Sequence, residues 1–183
     1  MEDISLHILD IAENALRAGA TCIEIHVIED IENDRLQLQI VDNGKGMDEQ
    51  MIQTVSDPFV TTRTERRVGL GLPLLAESAR MAGGDIQIKS DRDKGTSIEA
   101  DFIYSHIDRK PLGDMVQTMM MLIAGNPDID FSYHHLKKNQ NYCLDTTELR
   151  KTLEEIPINH REVIKLIKKD MEEGLKEMGV VFY

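Results

Sequence analysis

The sequence predicts an α/β main domain, residues 1–105, followed by a small α+β one, residues 106–183. Three observations carry that prediction. The chain opens on apolar residues at helical spacing and passes at once into strand-like alternation. Helices and strand pairs then interleave for about a hundred residues. At HIDRKPLG, residues 106–113, the pattern restarts with a helix, a hairpin and two further helices.

Taken in order, Ile4, Ile8, Ile11 and Ala15 recur on one side of a helix over residues 4–18, and Gly19 follows as its cap. Ile23, Ile25 and Val27 alternate with polar residues, as do Leu36, Leu38 and Ile40, so two strands turn near Asn33–Asp34. A loop over Asp42–Met47 leads to a short helix around Glu49–Val55, and residues 56–69 read as a polar, basic loop. A helix is expected from Gly71 to Met81, ended by Gly83–Gly84. The strands Ile86–Ser90 and Thr96–Tyr104 are joined by DRDKG. The second unit has a helix over Leu112–Ala124 and strands Asp130–Leu136 and Tyr142–Asp145 about KKNQN. Helices near Thr147–Glu155 and His160–Met178 follow, and Val180–Phe182 reads as a last strand.

Composition narrows the function. With 41% hydrophobic residues, 4% aromatic and no Trp, the core must be built from Ile, Leu, Val and Met. No apolar run approaches the ~20 residues of a membrane helix. The start, MEDISLHILD, lacks the basic region of a signal peptide, so a cytoplasmic protein is expected. Cys22 and Cys143 are far apart and fit two reduced thiols. The net charge is −12, with 20 acids against 10 bases in residues 1–104. No basic face is available to neutralise phosphates, so nucleic acid is a poor candidate partner and none is expected. An anionic small ligand would need a local reversal of sign.

TTRTERR, Thr61 to Arg67, supplies one: three of those ten bases stand directly before VGLGLP, Val68 to Pro73. There a loop becomes a helix, and Gly69 and Gly71 would let backbone N–H groups approach an anion at a helix N-terminus; a capping glycine is the plainer explanation. No Gly-x-x-x-x-Gly-Lys-Ser/Thr occurs, so this is not a P-loop. On the first helix Asp10, Asn14 and Arg17 share the side opposite the apolar stripe. They form either a solvated face or a hydrolytic one, in which Asn14 binds Mg²⁺, Asp10 orients a water and Arg17 meets a phosphate oxygen. Asp42 closes a buried strand. Its carboxylate can accept from an exocyclic amine, Gly44 and Gly46 let the backbone pass close to a flat base, and Met47 can pack on its face. The alternative is an Asn43–Gly44 hairpin turn.

In order, these pieces resemble the ATPase superfamily of DNA gyrase, the ninety-kilodalton heat-shock chaperones, histidine kinases and MutL-type repair proteins (GHKL). DIAEN (Asp10–Asn14), DNGKG (Asp42–Gly46), the lid segment Asp57–Val68, GLGL (Gly69–Leu72) and KGT (Lys94–Thr96) match its motifs over about 100 residues. The resemblance implies the Bergerat fold, a two-layer α/β sandwich whose mixed sheet is covered by helices. It also implies ATP and Mg²⁺ as ligands. Asn14 would hold the metal, Asp42 would read the adenine amine, and Gly44, Gly46 and Met47 would line the base. Thr62 and Arg63 would act from the lid, while Gly69, Leu70, Gly71 and Leu72 approach the phosphates with Arg17. Thr96 would support Asp42. Asp10 would be the catalytic residue, standing where hydrolysing branches carry Glu, one methylene longer, so turnover is expected to be slow.

ENALRAGAT is similar to MutL-type proteins, PFVTTR and GLGLPLL to histidine kinases. No phosphoacceptor His stands in the usual pattern, so a complete histidine kinase is not expected. The whole chain resembles stand-alone ATP-binding proteins of anaerobic bacteria encoded near iron-only hydrogenases. That implies a regulatory protein with a protein partner or phosphoacceptor, a hydrogenase-related one among the candidates, and leaves a homodimer open. ATPase or phosphotransferase activity is one expectation; an ATP-gated interaction module with little turnover is the other. The His134–His135 pair, pointing to opposite strand faces, and Met119–Met121 read as structural.

Overall fold

The computed structural model describes residues 3–48, 51–52 and 71–180. Within them run α1 (Ile4–Arg17), β1 (Cys22–Asp30), β2 (Arg35–Asp42), α2 (Gly71–Met81), β3 (Ile86–Asp91), β4 (Gly95–Ile103), α3 (Met115–Gly125), β5 (Asp130–Lys137), β6 (Gln140–Asp145), α4 (Thr146–Leu153) and α5 (Arg161–Glu177). Among the described residues the strands form one six-stranded mixed sheet, ordered β3-β4-β2-β1-β5-β6. The lid segment and the end of the chain, with the strand expected at 180–182, lie outside the described residues apart from Val180.

Alternation decides which face is covered. Ile23, Ile25 and Val27 of β1, Leu36, Leu38 and Ile40 of β2, and Ile98, Ala100 and Phe102 of β4 are buried. Their neighbours Glu24, His26, Gln37 and Gln39 stay on the opposite, less buried face. The helices lie on the first face, which makes the molecule a two-layer α/β sandwich. α1 starts where Asp3 accepts the Leu6 N–H at 3.0 Å, a side-chain cap for a free helix donor. It buries Ile4, Ile8, Ile11, Ala12 and Ala15, each of the three Ile worth about 1.5–3 kcal/mol of apolar burial.

The hairpin of residues 130–145 joins the same sheet. β5 runs parallel to β1, from Cys22↔Asp130 to Glu29↔Lys137, and β6 pairs antiparallel beyond it. Phe131 and Tyr133 enter the core that α1 and β1 share. α3 begins at Met115, not Leu112, because Pro111 and Leu112 are engaged elsewhere. Their carbonyls accept the Ile4 and Ser5 N–H groups, Gly113 turns with φ 79°, and the Asp114 carboxylate caps the Gln117 N–H. Met119 and Met120 are core, while Met121 is exposed. Cys22 and Cys143 are free thiols.

Candidate functional site

The site lies where β2 ends. Asp42 pairs with Ile23 of β1 and Thr96 of β4 and is only 8% exposed. Its Oδ1 accepts the Gly44 N–H at 2.8 Å. Burial pushes its pKa above the ordinary carboxylate value, and the Gly44 and Thr96 N–H groups only partly offset that. Asp42 is a buried acceptor held by backbone N–H groups.

The loop after Asp42 is tied down on both sides. Asn43 Oδ1 accepts the Thr21 and Cys22 N–H groups at 2.8 and 2.9 Å, anchoring the loop to the start of β1. Lys45 N–H bonds the Ala18 carbonyl at 3.1 Å, joining it to the end of α1. Gly46 has φ 63°, and a Cβ there would run into the Asp91 carbonyl. The Met47 N–H donates to Ser90 Oγ at 2.8 Å, and Ser90 Oγ donates to the Gly95 carbonyl at 2.9 Å and stands 3.0 Å from Thr96 Oγ1. Thr96 therefore serves Asp42 by its backbone and the Met47 loop by its hydroxyl. Asn43 and Ser90 were not singled out in the sequence; the Asx–Gly pair flagged Asn43 only as a turn, and nothing local marked Ser90. A helical start follows, with the Met51 and Ile52 N–H groups on the Asp48 carboxylate and carbonyl.

A cavity of about 390 Å³ opens on this floor. Asp42, Gly46, Met47 and Thr96 line it from the sheet side. Asn14 and Arg17 line it from α1, and Leu72 from α2, with apolar walls at Ile11, Ala15 and Ile98. The Arg17 guanidinium donates to Asn14 Oδ1 at 3.1 Å and to Glu13 Oε2 at 2.8 Å, so a cation rests on the amide oxygen at the rim. Gly44 supports Asp42 from behind and is not part of the wall. Asp10 and Gly71 stand together beside the cavity: a Cβ on Gly71 would overlap the Asp10 carboxylate. Thr62, Arg63, Gly69 and Leu70 lie outside the described residues.

A larger cavity, about 660 Å³, lies against β3 and shares Asp42, Met47 and Thr96. Its basic residues are Lys89, Arg92 and Lys94; Arg92 and Lys94 pair with Asp48 and Asp91, as Arg17 pairs with Glu13 at the other rim.

Residues 2–105 match the family described as Histidine kinase-, DNA gyrase B-, and HSP90-like ATPase. A putative sensor protein of Shewanella frigidimarina is 35% identical over 103 residues, covering 55% of this chain and 16% of that protein. The tetrathionate sensor histidine kinase TtrS of Salmonella typhimurium is 36% identical over 97 residues, covering 51% of this chain and 16% of its own length. The chain thus spans about a sixth of these relatives. Among solved structures, the N-terminal domain of a DNA repair protein aligns with TM-score 0.52 at 15% identity, over 79% of this chain and 53% of that one, a likeness of fold. With the family match covering more than half of its length, the chain belongs to the histidine kinase-, DNA gyrase B- and HSP90-like ATPases.

Proposed function

We propose that the chain binds ATP in the cavity below Asp42 and uses it for ATPase or protein phosphotransferase chemistry in a regulatory role. One observation carries this: a buried carboxylate, an amide oxygen and a guanidinium converge on one mostly apolar cavity. Its volume, about 390 Å³, falls within the roughly 300–1,000 Å³ of small-molecule sites. The adenine amine donates to Asp42, and Met47 and Ile98 pack on the ring. The phosphates leave toward Arg17 and the N-terminus of α2, where the helix dipole favours negative charge. Drawing Arg17 onto a phosphate frees Asn14 Oδ1.

Mg²⁺ fits these residues. It takes few protein ligands and keeps water and phosphate oxygens for the rest, and Asn14 supplies one hard oxygen at the cavity rim. Among the described residues no group of three His, Cys, Asp or Glu is arranged to hold a metal alone, which suits an ion that arrives with nucleotide. When bound, Mg²⁺ would neutralise phosphate charge. Asp10, beside Gly71, orients the nucleophile, a water or an acceptor hydroxyl on a protein partner.

A second reading, an ATP-gated interaction module with little turnover, is favoured by Asp10 standing beside the cavity and not in its wall. Thermal melts of wild type and Asp42→Asn with and without Mg-ATP test binding. At ~100 times the dissociation constant ATP adds about 2.7 kcal/mol, roughly 5–10 °C for a chain of this size. The shift is expected in wild type and lost in Asp42→Asn; equal shifts would remove Asp42 from the site. Release of γ-phosphate then separates turnover from gating.

A further inference from the structure

Among the described residues, three buried side-chain atoms have no hydrogen-bond partner: both ring nitrogens of His7 and the Ser78 hydroxyl. A buried polar group left unpaired costs about 1–3 kcal/mol, so such groups call for a reason beyond packing. His7 is 2% exposed and Ser78 5%, and neither lines the cavity.

α1 packs on α2, and His7 and Ser78 are buried residues of these two helices. His7 is three residues before Asp10 and seven before Asn14, so the three share one flank of α1. Gly71 abuts Asp10 on that flank, and Ser78 is two turns further along the same face of α2. The Asp10 carboxylate has no hydrogen-bond partner among the described residues. Two buried unpaired groups, one on each of these packed helices, thus share the flanks on which the candidate catalytic carboxylate stands.

We propose that His7 is a positioning residue for Asp10: with nucleotide bound, its ring N–H donates to the Asp10 carboxylate while the Ser78 hydroxyl serves the other ring nitrogen. This rests on the reading that Asp10 acts on bound ATP. An Asp reaches one methylene less far than a Glu, and a ring one turn behind it fixes which oxygen faces the nucleophile. The protonation state suits the role. Burial pushes the His7 pKa below its ordinary value, the N-terminal amino group and Lys110 add to this, and Asp3 and Asp10 pull the other way. The neutral ring carries one N–H and one lone pair, a donor for Asp10 and an acceptor for Ser78.

The test uses His7→Leu, His7→Asn, Asp10→Asn and the His7→Leu/Asp10→Asn double variant in the full chain. His7→Leu is expected to lower kcat for ATP turnover about tenfold or more with ATP affinity unchanged, and His7→Asn to recover part of it. The double variant should be no slower than Asp10→Asn alone, since His7 acts through that carboxylate. Wild-type rates in His7→Leu, or losses that multiply in the double variant, would overturn the proposal while leaving the ATP reading standing. A second readout needs no turnover: NMR titration of the His7 ring with Mg-ATP bound, in wild type and Asp10→Asn. Loss of the carboxylate should lower the His7 midpoint, and an unmoved midpoint overturns the coupling. A wild type that neither binds nor turns over ATP ends the function reading and this proposal with it, whereas a wild type that binds ATP with an unmoved His7 midpoint ends this proposal alone.

Discussion

Asp42 holds a conflict between stability and use. Its pKa is raised by burial, so the folded chain holds that proton more tightly than the unfolded chain does. The group therefore costs stability as pH rises past the ordinary carboxylate range, and the cost is complete above its folded pKa. Asp42→Asn keeps an acceptor for the Gly44 N–H and removes the charge. The nucleotide-free variant should melt higher than wild type at pH 7, with the gap closing as pH falls through that pKa; a calorimetric pH series checks both. Gly71 makes a complementary case. A Cβ there meets the far end of Asp10, a movable side chain, not backbone. Gly71→Ala should leave the melting temperature equal or higher, given alanine's helix propensity. Phosphate release should fall on the order of tenfold to a hundredfold as Asp10 is turned aside. The places of Asp42 and Gly46 at the end of a strand and of Asn14 on the polar side of a helix were legible in the sequence, because alternation and helical spacing are local signals; that Asp42, Gly46 and Asn14 line one cavity is seen only in the fold. His7 and Ser78 were not legible: their meaning lies in lacking partners, which only the packed helices reveal.

The elements were legible where their signals are local. Asp3 and Asp114 mark helix starts, and the β1–β2 and β3–β4 turns carry Asp34 at φ 53° and Asp93 at φ 61°. The partner of β5 was not legible, because a parallel pairing leaves no turn to read. Its far end holds a buried network that links β1, β5 and β4's continuation. Glu29 Oε1 bonds His135 Nε2 at 2.8 Å, Tyr133 Oη bonds His135 Nδ1 at 2.7 Å, and Tyr104 Oη donates to Glu29 Oε2 at 2.9 Å. Burial pushes the Glu29 pKa up, but the His135 and Tyr104 hydrogen bonds and the nearby Lys137 outweigh it and leave the pKa below the ordinary value. With a depressed folded pKa, the stability from this group is present above the usual carboxylate range and is lost as pH falls through the folded value. Glu29→Gln should cost about 1–3 kcal/mol at pH 7 in urea unfolding, and the deficit should shrink in acid. A deficit independent of pH would assign the loss to packing alone.

At the scale of the molecule, the second segment completes the first. β1 sits between β2 and β5, and Phe131, Tyr133, Met115 and Met119 belong to the core that α1 covers. A chain ended after residue 105 bares one whole edge of β1 and the apolar groups beneath it. We expect that fragment to melt without a cooperative transition and to bind apolar dyes, as differential scanning and fluorescence would show; a sharp melt near that of the full chain would mean the first segment is self-sufficient. The sheet order also sets a timetable for synthesis. β1 and β5 are separated by roughly a hundred residues, which at about 5–20 residues per second is some 5–20 s on the ribosome. Throughout that wait the nascent chain carries β2 on one side of β1 and nothing on the other. The edge that β5 will occupy is, for those seconds, the surface most in need of a chaperone.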